Sequence, residues 1–158
     1  MPTTARRTLV IGVVVAMIPL WWLILPDRDP VAVPGGDWQV ESVVDGDTVR
    51  VVRGTTEETV RLIGIDTPER DQCGYDEATR FMVDLVLDQP VTLVDGATTD
   101  RDNYGRLLRY VEHEGIDVGL AQITEGYAMA RYDSRTNQPH PREDVYREAD
   151  ASTAHFCE

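Results

Sequence analysis

The feature that most constrains this chain is an uninterrupted apolar run near its N-terminus. Residues 8–25 read TLVIGVVVAMIPLWWLIL, eighteen residues without a charge. As an α-helix this run would be about 27 Å long, close to the roughly 30 Å thickness of the hydrocarbon core of a bilayer. A helix that is apolar on every side does not suit the surface of a small domain. The run therefore predicts one transmembrane helix at residues 8–25, and the core must be built from the residues that follow.

The charges around this run predict its orientation. Arg6 and Arg7 precede the run, and charges of both signs follow it. The positive-inside rule then places residues 1–7 in the cytoplasm and the C-terminal domain outside it. Residues 26–37 contain three Pro and two Gly and predict a linker to a domain at residues 38–158. The alternative is a cleaved signal sequence, which would release a secreted domain, although no clear A-x-A site follows the run.

Beyond the linker, the hydrophobic pattern changes from the period of strands to that of helices and back. Valine-rich runs flank the turn dipeptide Asp45-Gly46, and later apolar residues recur at helical spacing. The pattern predicts strands at residues 40–44, 48–53, 59–65, 90–94 and 107–113, an extended piece at 127–131, and helices at 78–86, 118–125 and 142–156. This order predicts an α+β domain whose sheet is a small closed barrel.

The charge of the chain limits the partners that it can bind through a broad surface. There are 28 acidic residues against 15 basic ones, all of them arginine, for a formal net charge of −13. Residues 26–158 carry 13 arginines against the same 28 acids, a formal charge of −15. This balance argues against a sequence-specific DNA-binding regulator, which needs a basic face. It does not exclude an enzyme that handles nucleic acid one phosphate at a time.

The two cysteines predict a disulfide. Cys73 and Cys157 are too far apart in sequence for a zinc-binding or redox pair, and the three histidines also lack metal-ligand spacing. If the domain faces outwards, it lies in an oxidising compartment, where two cysteines in a small domain usually pair. The alternative is two separate buried thiols.

Three short stretches carry residues suited to chemistry on phosphates: DGDT at 45–48, RLIGIDTPE at 61–69 and YGR at 104–106. Each alone also fits an ordinary turn or a loop at a strand end. Asp47 and Asp66 supply the hard oxygen ligands that Ca²⁺ prefers, and the Thr67 carbonyl could add a third.

The remaining side chains of these stretches complete a set for hydrolysis. Glu69 is placed to orient or deprotonate a water molecule. Arg61 and Arg106 are permanently charged planar groups that fit phosphate oxygens and can neutralise charge that grows in the transition state. Two carboxylates, a metal ion, a base and two arginines together predict phosphodiester hydrolysis.

DGDT, RLIGIDTPE and YGR, in this order and at these spacings, resemble the staphylococcal nuclease (thermonuclease) family. The resemblance implies a five-stranded OB-type β-barrel with about three helices. It also implies Ca²⁺-dependent hydrolysis of DNA and RNA that cuts the P–O5′ bond and leaves 3′-phosphate ends. By residue-level match, it implies Asp47, Asp66 and Thr67 around Ca²⁺, Asp45 behind these ligands, Arg61 and Arg106 on the phosphate, Glu69 as general base, and Tyr104 and Tyr132 against the nucleotide.

A second function fits the same fold: a noncatalytic OB-type module on the cell surface that binds nucleic acid or a protein. Domains of this family that have lost catalysis usually lose the Asp, Arg or Glu set, which this chain retains. A third function, an acidic Ca²⁺ binder without hydrolysis, would not need Arg61 and Arg106. The sequence therefore favours an enzyme with DNA and RNA as substrates, the membrane as its anchor point, and no obligate protein partner.

Overall fold

The structure is a computed structural model, and it describes residues 37–157. The predicted transmembrane helix at residues 8–25, the cytoplasmic residues 1–7 and almost all of the linker lie outside the described residues. Within residues 37–157, every helix is too short or too polar to cross a bilayer.

Eight strands and three helices follow one another in the described domain. In chain order they are β1 (Trp38–Asp45), β2 (Thr48–Arg53), β3 (Thr56–Leu62), β4 (Ile65–Asp66), α1 (Tyr75–Val86), β5 (Pro90–Val94), β6 (Leu107–His113), β7 (Ile116–Asp117), α2 (Val118–Thr124), β8 (Met129–Ala130) and α3 (Glu143–Ser152).

Five of the strands close into a barrel. They pair in the order β3-β2-β1-β5-β6, and β6 then returns to pair with β3. The closing pair is parallel, with Val60 opposite Leu107 and Leu62 opposite Arg109, whereas the other four pairs are antiparallel. Closure leaves the barrel without a free edge, since each of its strands has two neighbours. The prediction of an α+β fold with a five-stranded OB-type barrel and three helices is confirmed for this part of the chain.

Alternation of side chains along the strands fills the barrel. In β2, Val49 and Val51 are fully buried while Arg50 between them is exposed. Helix α1 covers the barrel with a row of residues at helical spacing, of which Ala78, Met82 and Val86 are buried. The change of period in the sequence therefore marks the change from barrel wall to covering helix.

The third predicted strand differs from the observed one. A single strand was expected at residues 59–65, but β3 ends at Leu62 and a separate short strand, β4, begins at Ile65. Gly64 lies between them with a φ of +79°, a left-handed conformation that interrupts a strand. A side chain at this position would also collide with His140, whose ring atoms lie 2.6 Å from an ideal Cβ. The break matters because it turns β4 away to pair with β8.

The C-terminal part is less helical than its composition predicts. A helix was expected at residues 142–156, but α3 ends at Ser152 because Thr153 is extended. The remaining residues form a tail in which the N–H of Phe156 donates to the carbonyl of Gly126 at 3.0 Å. This tail carries Cys157 to Cys73, and the two form the predicted disulfide with a Cα–Cα distance of 5.9 Å. The bond ties the C-terminus to the residues just before α1.

A buried aspartate holds the loop that joins β8 to α3. Asp133 is 1% exposed, and its carboxylate accepts hydrogen bonds from Arg135 Nε at 2.8 Å and Arg147 Nε at 2.9 Å. These hydrogen bonds keep the pKa of Asp133 well below its usual range. The preceding residue, Tyr132, has a φ of +58°, which is unusual for a tyrosine. The hydrogen-bonded Asp133 thus holds the backbone directly after Tyr132, whose conformation is strained.

The disulfide should contribute strongly to stability. It closes a segment of 84 residues, for which the loop-entropy model gives about 4.5 kcal/mol. We expect the double variant Cys73→Ser/Cys157→Ser to lose about 3–5 kcal/mol of unfolding free energy in urea titrations. The wild-type protein should be about 2 Da lighter than its reduced form. Two thiols that react with iodoacetamide in the unreduced, unfolded protein would contradict the pairing.

Asp133 should stabilise the fold only while it is ionised. Its native pKa is depressed, so its contribution is complete above the unfolded pKa of about 3.9 and is lost as the pH falls below that value. We expect Asp133→Asn to cost about 2 kcal/mol at neutral pH. Asp144→Asn is the control, because Asp144 also pairs with Arg147 but its side chain is 93% exposed. Urea unfolding should show the Asp133→Asn deficit shrinking below a pH of about 4; an unchanged deficit there would mean that charge is not its source.

Candidate active site

The turn between β1 and β2 carries two of the predicted aspartates. Asp47 is only 6% exposed, and its backbone N–H donates to Asp45 Oδ1 at 3.1 Å. Gly46 separates the two residues, and a Cβ at this position would lie 2.8 Å from Ala78 Cβ and 2.9 Å from Thr67. Only glycine therefore lets helix α1 and the loop after β4 approach the turn this closely.

The Asp47 carboxylate is the centre of the buried contacts. Its Oδ1 accepts a hydrogen bond from Thr48 Oγ1 at 3.1 Å and forms an ion pair with Arg61 Nε at 3.0 Å. Its Oδ2 accepts from the backbone N–H of Thr67 at 3.1 Å and from its hydroxyl at 3.0 Å. One side chain thus joins the turn, strand β3 and the loop after β4.

Arg61 connects Asp47 to a second carboxylate. Its Nη1 donates to the carbonyl of Leu62 at 2.7 Å, and its Nη2 lies 3.4 Å from Asp66 Oδ1. The Tyr132 hydroxyl donates to the same Asp66 oxygen at 3.2 Å, and Arg61 Cζ lies 5.6 Å from the centre of the Tyr132 ring. The structure therefore brings together five of the predicted residues: Asp47, Arg61, Asp66, Thr67 and Tyr132.

Arg106 reaches this cluster from the loop before β6. Its Nε donates to Asp102 Oδ2 at 2.7 Å, and its Nη1 donates to Thr48 Oγ1 at 3.3 Å. Thr48 in turn donates to Asp47, so one hydroxyl links Arg106 to the buried carboxylate. Tyr104 is 86% exposed, with its ring centre 5.4 Å from Arg106 Cζ. Arg106 and Tyr104 therefore lie beside the cluster. Their roles on the phosphate and the nucleotide stay predictions.

A cleft of about 350 Å³ is lined by both arginines and both tyrosines. Among the described residues that line it, only Asp102 is acidic, and Asp102 is already bonded to Arg106. Arg106 Nη2 makes no hydrogen bond with a described residue, so it is available for a ligand. We name this space the first cleft. An anion of phosphate size can meet two guanidinium groups there.

Glu69 is the predicted residue that the structure does not bring into the cluster. It is exposed on the loop between β4 and α1, where its backbone N–H donates to Gln72 Oε1 at 2.8 Å. Its carboxylate makes no hydrogen bond or ion pair with any residue of the described domain. The role of Glu69 as a base, like the role of the Thr67 carbonyl as a ligand, therefore remains a prediction.

Burial and neighbouring charges adjust the groups around the cluster. Burial, and after it the charge of Asp47, raises the pKa of Asp45. Burial and the charge of Asp66 raise the pKa of Tyr132, so its hydroxyl keeps its proton and remains a donor at neutral pH. Burial opposes ionisation of Asp102, but hydrogen bonds from Arg106 and from two backbone groups outweigh it and lower its pKa.

The donor atoms of the cluster fit a hard cation. Within residues 37–157, no three or more His, Cys, Asp or Glu residues are grouped to hold a metal ion. The predicted set is smaller, two carboxylates and a carbonyl, and Ca²⁺ commonly completes such a set with water or ligand oxygens. Asp66 Oδ2 has no hydrogen-bond partner among the described residues, whereas both oxygens of Asp47 are in use. Asp66 is therefore the carboxylate with an oxygen free for a cation.

Two residues that the sequence analysis missed support the site. Gln122 on α2 is fully buried and donates from Nε2 to the carbonyls of Gly46 at 2.8 Å and Ala78 at 3.0 Å. Asp102 orients Arg106 through two hydrogen bonds. A glutamine within the apolar pattern of α2, and an aspartate four residues before Arg106, were the signals that could have identified them.

Comparisons with known proteins show the family to which the chain belongs. Residues 59–155, more than half of the chain, match the family model described as staphylococcal nuclease homologue. Thermonuclease from Staphylococcus intermedius is 33% identical over 122 residues, which cover 73% of this chain and 67% of that protein. Two Bacillus subtilis (strain 168) proteins are also similar: Endonuclease YncB, 32% identical over 59% of this chain, and SPbeta prophage-derived endonuclease YokF, 34% identical over 61%. The aligned parts span 47% and 34% of the length of these two relatives.

The matched segment contains Arg61, Asp66 and Arg106, and it includes all of the barrel except β1, β2 and the start of β3. The resemblance read from the sequence motifs is thereby confirmed: this chain belongs to the staphylococcal nuclease family.

Proposed function

We propose that this protein is a Ca²⁺-dependent nuclease that hydrolyses phosphodiester bonds in DNA and RNA. The observation that carries the proposal is the placement of Arg61 and Arg106 on one cleft, with the Asp47 and Asp66 carboxylates bonded directly behind Arg61. Guanidinium groups on a phosphate stabilise the negative charge that grows when its phosphorus is attacked. Relatives that bear the names thermonuclease and endonuclease support the same activity.

In the proposed reaction, a water oxygen forms a bond to phosphorus while the P–O5′ bond breaks. The proton of the water passes to Glu69, whose exposed carboxylate has no described partner that would compete for it. Arg106 binds a phosphate oxygen through its free Nη2, and Arg61 binds another through Nη2, its most weakly held group. The leaving 5′ oxygen takes a proton from solvent water, and the exposed Glu69 returns its proton to solvent. The products are a 3′-phosphate end and a 5′-hydroxyl end.

The cation of this proposal is held by the Asp47 and Asp66 carboxylates and by the Thr67 carbonyl. Bound there, Ca²⁺ would supply positive charge that offsets the negative charge of the attacked phosphate. The Thr67 N–H and hydroxyl fix the orientation of Asp47, so the chain holds one ligand rigidly and leaves Asp66, 32% exposed, free to adjust.

A noncatalytic nucleic-acid or protein-binding barrel is the second candidate. The observation that favours it is the position of Glu69, exposed and outside the hydrogen-bonded cluster. A binding module, however, has no need for a guanidinium held between the buried Asp47 carboxylate and the partly exposed Asp66 carboxylate. The two candidates differ in one assay, because a binding module retains its ligand without shortening it.

We also propose that the domain acts outside the cytoplasm. It would be anchored to the cell membrane through residues 8–25, or secreted if that segment is cleaved. The disulfide between Cys73 and Cys157 supports an oxidising location, since such bonds persist mainly there.

Nuclease activity should require both the cation and Asp66. We expect the protein to release acid-soluble nucleotides from DNA and RNA in Ca²⁺ and to stop when EDTA is added. Asp66→Ala should lose at least about a hundredfold in rate while keeping its unfolding free energy within about 0.5 kcal/mol, because Asp66 is partly exposed. Undiminished hydrolysis by Asp66→Ala in Ca²⁺ would contradict the ligand assignment, and no hydrolysis by the wild type would favour the binding module.

Asp47→Ala should behave differently from Asp66→Ala, although both remove a proposed ligand. Loss of the Asp47 carboxylate leaves the buried Arg61 and the Thr67 N–H without their partner. We therefore expect a comparable loss of rate together with a loss of about 2–3 kcal/mol of unfolding free energy. Urea unfolding of the two variants side by side measures the difference.

Lysine should not replace either arginine. Arg61 uses all three of its nitrogens in different directions, and Arg106 uses Nε for Asp102 and Nη1 for Thr48. A lysine ammonium keeps the charge but cannot make this set of bonds, so Arg61→Lys and Arg106→Lys should each lower kcat/KM by at least about tenfold. Arg80→Lys is the control, because Arg80 is exposed, lies outside the Asp47 cluster and does not line the first cleft. Full activity in both lysine variants would show that only diffuse positive charge is needed.

A further inference from the structure

A second cleft of about 340 Å³ adjoins the first one at the bonded cluster. Its walls are the loop that follows Asp66 and the segment around β8 with the C-terminal tail. The two clefts have no lining residue in common, but they meet where Tyr132 and Arg61 of the first contact Asp66 of the second. A substrate phosphate at Arg61 would therefore lie between two cavities.

The second cleft has little negative charge for so acidic a protein. Among the described residues that line it, only Asp66, a proposed cation ligand, is acidic. Its one described arginine, Arg131, is exposed, and the only side-chain hydrogen bond of Arg131 within residues 37–157 is the long one from Nη2 to Met129 Sδ at 4.0 Å. The guanidinium of Arg131 is positively charged, and it forms no ion pair with a described carboxylate of the second cleft.

Unpaired arginines are the minority in the described domain. Eight of the twelve arginines between residues 37 and 157 form an ion pair with a described carboxylate, and Arg50, Arg70, Arg80 and Arg131 do not. Arg50 and Arg80 line neither cleft, and Arg70 lines a separate pocket that also contains Asp71 and Asp76. Arg131 alone among the four lines a cleft that reaches Asp66.

The backbone fixes Arg131 beside the proposed reaction centre. Its N–H donates to the carbonyl of Gly64 at 2.9 Å, in the break between β3 and β4. The next residue, Tyr132, lines the first cleft, so two consecutive residues line different cavities. Tyr127 and Phe156, with ring centres 5.8 Å apart, and Met129 add apolar surface to the second cleft. Such surface suits a base or a sugar, since every base has a face that can stack on an aromatic ring.

We propose that the second cleft binds the part of a single nucleic-acid strand that continues beyond the attacked phosphate, with Arg131 on its next phosphate. The proposal rests on the function proposed above and extends it. An enzyme that cuts within a strand must accommodate the chain on both sides of the phosphorus, and the first cleft offers room on one side. The second cleft supplies the other side, with a volume in the range of ordinary ligand sites, about 300–1,000 Å³.

The test measures binding separately from hydrolysis. The full-length protein, in a non-ionic detergent and EDTA, is titrated into a fluorescein-labelled single-stranded oligothymidylate of ~12 nucleotides, a length within the span of a single OB fold. Anisotropy gives Kd between ~50 and ~200 mM NaCl, a range in which phosphate contacts have a clear salt dependence. The variants are Arg131→Gln, which removes the charge, Arg131→Lys, which keeps it, and Arg80→Gln, which removes an exposed unpaired arginine elsewhere.

We expect Arg131→Gln to weaken binding about fivefold and to reduce the slope of log K against log salt by about 0.7, the value for one contact on a single strand. Arg131→Lys should keep the wild-type slope, and Arg80→Gln should match the wild type in both quantities. In Ca²⁺, Arg131→Gln should also lower the ratio of kcat/KM on the oligonucleotide to kcat/KM on a dinucleotide, which is too short to fill both clefts.

Equal effects of Arg131→Gln and Arg80→Gln would overturn the proposal, and so would a wild type that does not bind the oligonucleotide in EDTA. Neither result bears on the function proposed above, which is judged by Ca²⁺-dependent release of nucleotides. Conversely, a protein that binds through Arg131 but never hydrolyses would support the second cleft and refute the nuclease.

Discussion

The contacts of the Asp47 carboxylate hold the candidate site together. Three strands or their ends converge on its two oxygens: Thr48 at the start of β2, Arg61 on β3 and Thr67 after β4. The group is 6% exposed, and a buried carboxylate is stable only when its hydrogen-bonding capacity is satisfied, as it is here. Removal of any partner leaves a polar or charged group buried. The buried Asp47 carboxylate therefore positions Arg61, and Arg61 in turn positions Asp66.

The sequence predicts the barrel well because barrel strands and the covering helix have different hydrophobic periods. The hairpin around Asp45-Gly46 and helix α1 lie where the pattern places them. The pattern fails where a conformation depends on tertiary contacts. At the break, Gly64 adopts a left-handed conformation and lies against His140, a residue 76 positions away whose approach no local pattern reveals. The early end of α3 is another such case, since the tail is drawn to Gly126 and to Cys73.

The same distinction applies to the site. The motifs identify Asp47, Arg61, Asp66 and Arg106, and the structure brings these four side chains together. The residues that orient them were not predicted, because a buried glutamine such as Gln122 or an aspartate such as Asp102 has no motif of its own. Glu69 is the opposite case, a residue with a clear motif whose carboxylate lies outside the bonded cluster. Spacing in sequence determines which loop carries a residue, but the contacts of that loop determine where its side chain lies.

Arg61 can hold the fold and bind a phosphate because its three nitrogens are held unequally. Nε faces Asp47 at 3.0 Å and Nη1 donates to the Leu62 carbonyl at 2.7 Å, both in buried surroundings. Nη2 meets Asp66 at 3.4 Å, a long contact to a carboxylate that is 32% exposed and therefore screened by water. A phosphate oxygen that replaces Asp66 at Nη2 breaks only this weak contact, so Arg61 need not leave Asp47. After the same exchange Asp66 keeps only the hydrogen bond from the Tyr132 hydroxyl, and its second oxygen is already without a described partner. The weakest contact of the cluster, between Arg61 Nη2 and Asp66, thus lies where the substrate phosphate and the cation would both bind.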